Sequence, residues 1–430
     1  MVQYNRQAMN HFPPEVSSKL FASFSKERTH ALYLNAKKMP EEVFLSRFPK
    51  LTPHPFIPHA FLYDPEDYEF GKSCLYDFGV YSIQDASAMV PPFALNPKKG
   101  ERILDLCASP GGKSILASLL MEGGGVLLSN DISPARAKDL SSNIERMGLG
   151  NVIVANQDFS EAYSRFLETF DGILLDAPCS GSFMFRKNAQ AEREWSEQKV
   201  RRCACIQRSL LESCYAMLKK GGRMVYSTCS LSFQENEGMI LDFLSRHPDM
   251  KPAAIPEEEG FYHPSSLKEA VYLLPCFFPG EGQFLCLLRK GGSSPLEPEA
   301  KEKSKEHSSF FDFFGLSSLH QIENPGSLSC LPMAFPTKGI RLLRNGLLVS
   351  DFPYSEPSQS LAHYLGEDYQ VELSKEQAAS FCRGETFPLP LGEGYYLAAY
   401  QGLGIGWFKM VQGKMKNHYP KGLRRNYKAL

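Results

Sequence analysis

Two cysteine-containing segments hold the residue types best suited to covalent chemistry. They are residues 176–181 (DAPCSG) and 228–230 (TCS), and each sets a cysteine among small, turn-forming residues. A cysteine thiolate is a strong nucleophile, and its addition to a substrate splits one difficult step into easier ones. A neighbouring carboxyl group such as Asp176 stabilises the charge that forms. We therefore predict covalent catalysis by Cys229, Cys179 and Asp176, although a single cysteine considered alone is more often a small buried residue.

Methylation of cytosine at carbon 5 is one reaction that needs this set of groups. Carbon 5 is a poor nucleophile, and addition of a thiolate to carbon 6 gives an enamine-like ring that can attack a methyl sulfonium. The Asp176 carboxyl group would hydrogen-bond N3 and the exocyclic amine as the adduct forms. A base must then remove the carbon 5 proton so that the enzyme thiol leaves. Two cysteines and one aspartate match these needs.

Strand-like and helix-like patterns alternate between residues 100 and 290. Apolar runs that predict strands cover residues 103–106, 125–130, 152–155, 172–175 and 223–227, and runs at 271–274 and 284–288 predict an antiparallel pair. Helical patterns begin at residue 113, span 133–148, and span 192–218 with a closing turn at 221–222. The alternation predicts an α/β fold, a Rossmann-like parallel sheet with helices on both faces. Both cysteine segments then follow strands and meet in one crevice.

A glycine turn after the first of these strands predicts a cofactor site. The turn consists of Cys107, Ala108, Ser109, Pro110, Gly111, Gly112 and Lys113. Its glycines permit a tight turn and a close approach of the backbone to a ligand, with helix N–H groups pointing at that ligand. Alone, such a turn is equally open to NAD, a nucleotide or a purely structural role.

Aspartates at the strand ends that follow the glycine turn make the cofactor prediction more specific. Asp131 follows the second strand and is placed to accept hydrogen bonds from two ribose hydroxyls. Asp158 follows the third strand, where it could hold an adenine amino group, and Asp176 follows the fourth. Each aspartate alone is more often a helix cap or a surface charge. The series, the absence of GxGxxG and the nearby cysteines favour S-adenosyl-L-methionine over NAD.

These motifs resemble the RNA 5-methylcytosine methyltransferases of the Nol1/Nop2/Sun family. The resemblance rests on residues 107–113, 176–181 and 227–230, together with residues 81–89 (YSIQDASAM), and it covers about residues 20–290. It implies that Cys229 is the nucleophile and that Cys179 assists release of the product. DNA cytosine methyltransferases use the cysteine after proline as their nucleophile, so the second cysteine distinguishes RNA from DNA enzymes.

The C-terminal residues resemble the RsmF branch of this family. The similarity lies in residues 404–407 (GIGW) and 416–424 (KNHYPKGLR), and it implies a PUA-like RNA-binding module and small-subunit (16S) rRNA as the substrate. A basic stretch without acidic residues contains Lys409, Lys414, Lys416, His418, Lys421, Arg424, Arg425 and Lys428. Trp407, Tyr419 and Tyr427 are interleaved with it, which predicts an RNA-binding surface, the alternative being a solvated, disordered end.

The resemblance and the composition together predict the domain organisation. We expect an N-terminal RNA-binding α+β segment at 1–75, a Rossmann-like class I methyltransferase domain at 76–290, a polar linker at 291–309 and a C-terminal PUA-like RNA-binding region at 310–430. The chain has 430 residues and a formal net charge of −1. Without a signal or membrane-span pattern, we expect a cytoplasmic monomer. The eleven cysteines contain no CxxC pair, so we expect reduced thiols and no metal.

Three alternatives remain at this point. The first is a catalytically silent RNA-binding protein on a methyltransferase scaffold, against which Cys229, Cys179, Asp176 and Asp131 argue together. The second is tRNA as the substrate, because PUA-like modules serve both kinds of RNA. The third is DNA, which would leave Cys229 unexplained.

Overall fold

In the computed structural model, which describes residues 9–187, 189–294, 311, 313–324, 326–351, 356–366 and 370–427, the chain begins with a small antiparallel sheet. Its strands are β1 (His30–Leu34), β2 (Thr52–Pro53), β3 (Ala60–Tyr63) and β4 (Tyr81–Ile83), paired in the order β2-β3-β1-β4. The helices of this region are α1 (Pro14–Ser23), α2 (Glu41–Arg47) and α3 (Cys74–Asp77). The sheet thus extends beyond residue 75, because β4 pairs with β1.

The middle of the chain alternates strands and helices. The strands are β5 (Arg102–Asp105), β6 (Val126–Asn130), β7 (Val152–Ala155), β8 (Phe170–Asp176), β9 (Leu218–Thr228), β10 (Met250–Ala253), β11 (Phe261–Tyr262), β12 (Val271–Leu273) and β13 (Gln283–Lys290). The helices are α4 (Val90–Leu95), α5 (Gly112–Leu120), α6 (Pro134–Met147), α7 (Phe159–Ala162), α8 (Ala189–Glu194), α9 (Glu197–Met217) and α10 (Glu237–Arg246). Helix α6 ends at Gly148, whose φ of 68° matches the predicted stop.

These strands form the predicted Rossmann-like sheet. Its order is β11-β12-β13-β9-β8-β5-β6-β7, and β5 to β9 pair in parallel. The predicted antiparallel pair is confirmed as β12 and β13, and β13 also lies antiparallel to β9. Strand β5 has β6 on one side and β8 on the other, so the strand order reverses there. A ligand crevice is expected outside the carboxyl ends of β5 and β8.

Successive residues of the parallel strands pack into two separate cores. Leu104 and Leu128 belong to one hydrophobic cluster, whereas their neighbours Ile103 and Leu127 belong to another. Both faces of the sheet are therefore covered, which is typical of parallel sheets and explains why the strands are continuous apolar runs in the sequence.

The predicted single helix over residues 192–218 is wrong. Ser196 begins a new helix, α9, because its side chain accepts a hydrogen bond from the Lys199 backbone N–H. Residues 221–222 do not close that helix either. The strand β9 already starts at Leu218, which pairs with Phe170, and both glycines lie inside it. A Cβ on Gly222 would lie 2.9 Å from the backbone carbonyl oxygen of Lys219, so a side chain at this point of the strand would force the backbone to shift.

The C-terminal region contributes two further four-stranded sheets and one strand to the central sheet. Its strands are β14 (His320–Asn324), β15 (Ser327–Leu331), β16 (Leu342–Asn345), β17 (Leu347–Asp351), β18 (Glu356–Pro357), β19 (Gln370–Glu372), β20 (Gly394–Tyr400), β21 (Leu403–Val411) and β22 (Lys414–Asn417), with helices α11 (Gln359–Tyr364) and α12 (Lys375–Arg383). Strand β16 pairs with β7 and extends the central sheet. The predicted linker lies mostly outside the described residues, and the predicted domain division stays a prediction.

The first and last sheets of the chain share one hydrophobic core. Leu32 and Phe44 of the N-terminal region lie in the same cluster as Phe381 and Ile405 of the C-terminal region. Polar contacts reinforce this junction. The Tyr427 hydroxyl donates a hydrogen bond of 2.6 Å to Asp77, and the guanidinium of Arg425 lies 3.3 Å from the same carboxylate.

Replacing Asp77 by alanine is expected to lower the free energy of unfolding by about 1–3 kcal/mol, because the charged acceptor of the half-buried Tyr427 hydroxyl is lost. Urea denaturation followed by tryptophan fluorescence would measure the change. Asp67→Ala is the control, since Asp67 pairs with Lys50 on the surface and its loss is expected to cause no measurable change. Equal effects of the two substitutions would contradict a structural role for the Asp77 contacts.

Within the described part of the chain, no helix combines the length and the apolar character needed to cross a lipid bilayer. The same residues contain no group of three or more histidine, cysteine, aspartate or glutamate side chains arranged to hold a metal ion.

Candidate active site

The two predicted cysteines lie side by side at the carboxyl end of the sheet. Strands β8 and β9 are parallel, with Asp176 opposite Ser227, so the segments that follow them start together. The sulfur atoms of Cys179 and Cys229 are 3.2 Å apart, and all eleven cysteines are free thiols. The hydrogen bond to Cys229, together with burial, raises the pKa of Cys179 well above its ordinary value. Burial and the neighbouring sulfur atom thus favour the neutral thiol at Cys179.

The third predicted catalytic group, Asp176, is fixed by three donors. Its Oδ1 accepts hydrogen bonds from Ser227 at 2.8 Å and from Gln283 at 2.9 Å, and its Oδ2 accepts one from Lys113 at 2.9 Å. Burial lowers the pKa of Lys113, but the Asp176 carboxylate outweighs this and raises that pKa overall. Lys113 is thus an ammonium that also interacts electrostatically with Cys229. The Asp176 side chain remains 30% exposed, so a ligand can reach it.

The predicted glycine turn follows β5 and leads into α5. Gly111 has a φ of 110°, which a residue with a side chain rarely adopts, and a Cβ there would lie 2.9 Å from Leu140. At Gly112 a Cβ would lie 2.9 Å from the Gln84 side chain. Gly111 is thus required by its backbone conformation, whereas a side chain at position 112 would have to displace the end of the Gln84 side chain. Hydrogen bonds of 2.9–3.0 Å between Ser109 and Arg136 hold the turn against α6.

The two other predicted cofactor residues have different surroundings. Asp131 is buried at the end of β6, where its carboxylate accepts a hydrogen bond from the Ser133 backbone N–H at 2.9 Å and lies 3.2 Å from Arg136. Asp158 caps α7, because its carboxylate accepts bonds from the backbone N–H and the hydroxyl of Ser160. For Asp158 the ordinary role of a helix cap is therefore present, and contact with adenine stays a prediction.

Asp105 is a candidate site residue that the sequence does not single out. It is the last residue of β5 and is fully buried, and burial raises its pKa to about 7. Its Oδ2 accepts a hydrogen bond of 2.6 Å from Ser114, whereas its Oδ1 has no partner among the described residues. An unpartnered buried oxygen beside the glycine turn fits a ligand with a positively charged or N–H donor group. A carboxylate inside the apolar run 103–106 was the available signal.

Glu235 is a second such residue. It lies beyond the TCS segment and is fully buried. Its carboxylate accepts hydrogen bonds from Ser180, the residue after Cys179, and from Ser230, the residue after Cys229. In the sequence, residues 235–237 (ENE) look like an ordinary acidic start of the helix α10.

Comparison with known proteins identifies the family. A family model described as "16S rRNA methyltransferase RsmB/F" matches residues 92–289, and one described as "Methyltransferase RsmF PUA domain" matches residues 369–425. "Ribosomal RNA small subunit methyltransferase F" of Vibrio atlanticus is 32% identical, over 94% of this chain and 93% of that protein. The chain belongs to the RsmF family.

Two further comparisons agree with this assignment. The protein of the same name from Shewanella loihica is 29% identical, over 99% of this chain and 96% of its own. A crystal structure of a methyltransferase homolog protein from Pyrococcus horikoshii is 27% identical with a TM-score of 0.56, covering 67% of this chain and 100% of that one. The predicted family, the Rossmann-like methyltransferase fold with a C-terminal PUA domain, and the methyltransferase class of the enzyme are confirmed.

The PUA region of this RsmF-family protein departs from the prediction in one respect. Trp407 and Tyr419, predicted to lie on an RNA-binding surface, are buried, and the Trp407 indole donates a hydrogen bond of 2.8 Å to the Ser358 carbonyl. Trp407 lies on β21, which packs against α11, and Tyr419 packs against Phe381 of α12. The exposed basic residues of the predicted set are Lys414, Lys416, Lys421, Arg424 and Arg425, and Lys428 lies outside the described residues.

Proposed function

We propose that this protein transfers a methyl group from S-adenosyl-L-methionine to carbon 5 of a cytosine in 16S rRNA. The observation that carries the proposal is the thiol pair, whose sulfur atoms lie 3.2 Å apart beside the anchored carboxylate of Asp176. The curated relatives with matching full length are named small-subunit rRNA methyltransferases, which favours this substrate over tRNA and DNA.

Cys229 begins the reaction. As a thiolate, its sulfur forms a bond to carbon 6 of the cytosine, and the electron pair of the 5,6 double bond becomes available at carbon 5. When bound, S-adenosyl-L-methionine supplies the methyl group as an electrophilic sulfonium.

Asp176 orients the cytosine during this attack. Two of its three hydrogen-bond donors converge on Oδ1 and the third, Lys113, holds Oδ2, so the carboxylate is fixed before the base arrives. Remaining lone pairs of the half-buried carboxylate can accept hydrogen bonds from the exocyclic amine of the base. A preorganised acceptor of this kind needs no rearrangement in the transition state.

Cys179 assists the last step. After methylation, carbon 5 carries both a methyl group and a proton, and loss of that proton to a base restores the double bond and expels Cys229 as a thiolate. We assign this release step to Cys179, because its sulfur lies 3.2 Å from the sulfur of Cys229.

The cofactor would be held by residues at the ends of β5 and β6. The donor and acceptor set fits it, since Asp105 offers an unpartnered carboxylate oxygen to an ammonium group and Asp131 offers a carboxylate to ribose hydroxyls. The turn from Cys107 to Lys113, which follows Asp105 in the sequence, would also contact the cofactor. Asp158 remains our candidate for the adenine amino group.

The RNA would contact the basic C-terminal surface. Its lysines and arginines neutralise phosphates, a contribution that weakens as the salt concentration rises. The rRNA would bind this surface either as free RNA or within the small ribosomal subunit. A cytoplasmic, monomeric state without a metal remains our expectation.

Bisulfite sequencing of RNA from cells that lack the gene tests the proposal directly. We expect one or more cytosines of 16S rRNA to lose protection from deamination, and expression of the wild-type chain should restore it. Unchanged 16S rRNA with loss of protection in a tRNA would overturn the choice of substrate. Unchanged methylation in every RNA class would favour a silent RNA-binding homologue.

Asp176→Asn is expected to lower kcat by about 10²–10³-fold, because the amide loses an acceptor and breaks the ion pair with Lys113. The measurement is single-turnover methyl transfer to a 16S rRNA transcript. Asp171→Asn is a matched control. Asp171 lies on the same strand, is also 30% exposed and also binds a lysine, Lys219, but at the opposite end of β8. Equal loss of activity in both variants would rule out a specific role for Asp176.

A further inference from the structure

One buried carboxylate joins the two cysteine segments. The Oε2 of Glu235 accepts hydrogen bonds from the hydroxyl of Ser180 at 2.5 Å and from that of Ser230 at 2.6 Å, and these hydroxyls are 3.1 Å apart. The Oε1 accepts the Ser180 backbone N–H at 2.7 Å. Since Ser180 follows Cys179 and Ser230 follows Cys229, the carboxylate binds each segment one residue beyond its cysteine.

Glu235 and the polar side chains that bind it are shielded from solvent. Glu235, Ser180, Ser230 and Gln207 are all fully buried. The Gln207 amide donates to the Glu235 Oε1 at 3.3 Å and to the Pro178 carbonyl at 3.0 Å, so α9 supports the same segment. Burial raises the pKa of Glu235, although the hydrogen bonds from Ser180 and Ser230 oppose that shift. A buried carboxylate is tolerated only where such donors satisfy it.

We propose that Glu235 is a positioning residue that holds the two cysteine segments together, so that the thiols of Cys179 and Cys229 lie in one site. It acts through hydrogen bonds to Ser180 and Ser230, and its negative charge also contributes to the raised pKa of Cys179. Its importance for catalysis rests on the proposed function, whereas its effect on the distance between the thiols does not.

Glu237 provides a matched control for a merely structural effect. It is also buried, burial also raises its pKa, and it lies two residues away on the same segment. Its carboxylate accepts a hydrogen bond of 2.7 Å from the Tyr272 hydroxyl, and within the described part of the chain it makes no hydrogen bond to either cysteine segment. A substitution of Glu237 disturbs the same region but leaves the hydrogen bonds between Glu235 and the two cysteine segments in place.

The first measurement uses phenylarsine oxide, a trivalent arsenical that bridges two neighbouring thiols. With the full-length chain, we expect the arsenical to bind at the thiol pair. The part of the binding that is lost in Cys229→Ser belongs to this site and not to the other cysteines. Glu235→Gln should weaken that Cys229-dependent binding about tenfold or more, because a neutral amide replaces a charged acceptor. Glu237→Gln should leave it unchanged. Glu235→Ala, if it folds by circular dichroism, should abolish it.

The second measurement is methyl transfer. Glu235→Gln should lower kcat about tenfold or more while the KM for RNA stays within about twofold, because a misplaced reacting group affects the chemical step. Unchanged arsenical binding in Glu235→Gln would overturn the proposal, as would equal losses in Glu237→Gln. If the wild-type chain methylates no RNA, the function proposed above fails, and the arsenical result still decides the role of Glu235.

Discussion

Replacing Cys229 by alanine is expected to lower the rate of methyl transfer by about 10⁴-fold or more, because loss of a covalent nucleophile removes the pathway that it opens. Without the adduct, carbon 5 of the cytosine stays a poor nucleophile. Binding of S-adenosyl-L-methionine should be unaffected, since the turn at residues 107–113 and Asp131 belong to other strands. Transfer of a labelled methyl group to a 16S rRNA transcript and calorimetric titration of the cofactor measure the two effects separately.

Cys205→Ala is the control for this substitution. Cys205 is an exposed cysteine on α9, so its loss should leave the rate unchanged. If Cys229→Ala retained its activity while Cys179→Ala lost it, the assignment of the two roles would be reversed, as in the DNA enzymes.

Replacing Cys179 by alanine is expected to give the second large effect, accumulation of a covalent complex between enzyme and RNA. The attack by Cys229 remains possible in this variant, but the residue assigned to release is absent. Denaturing gel electrophoresis after incubation with RNA and cofactor should show a slow-migrating band for Cys179→Ala. We expect a wild-type lane in which that band is weak, because turnover removes the adduct.

The double variant Cys179→Ala, Cys229→Ala identifies the bond in that complex. It should form no slow-migrating band, because neither thiol of the pair is left to attack carbon 6. A band that persisted in the double variant would show that another residue is the nucleophile, and a Cys179→Ala enzyme that turned over normally would remove Cys179 from the release step.

Much of the site could be predicted because its signals are local. Each strand of the parallel sheet is an apolar run followed by a polar residue or a glycine turn, and parallel strands bring their carboxyl ends to one edge. Cys179, Cys229 and Asp176 could therefore be assigned to one crevice without knowledge of their distances. Lys113 was placed in the cofactor turn, but its ion pair with Asp176 joins two segments that no sequence pattern connects.

The remaining features depend on contacts between distant parts of the chain. The role proposed for Glu235 depends on its hydrogen bonds with Ser180 and Ser230, which are distant or unremarkable in the sequence. The sequence pattern around Glu235 is that of a helix start. Trp407 and Tyr419 lie in a segment with the composition of a nucleic-acid-binding surface, but tertiary packing buries both side chains. Likewise, β16 is a short run far from β7 in sequence, and its place in the central sheet follows from tertiary packing.

The shared core of the first and last sheets has a consequence for biosynthesis. Asp77 and its partner Tyr427 are separated by 350 residues, so the ribosome makes one side of this junction long before the other. At a synthesis rate of about 5–20 residues per second, roughly 20–70 s pass between the synthesis of Asp77 and that of Tyr427. Throughout that interval the apolar side chains of the junction, such as Phe78, lack their final neighbours. The nascent chain therefore exposes an apolar surface, of the kind that chaperones bind, until translation is almost complete.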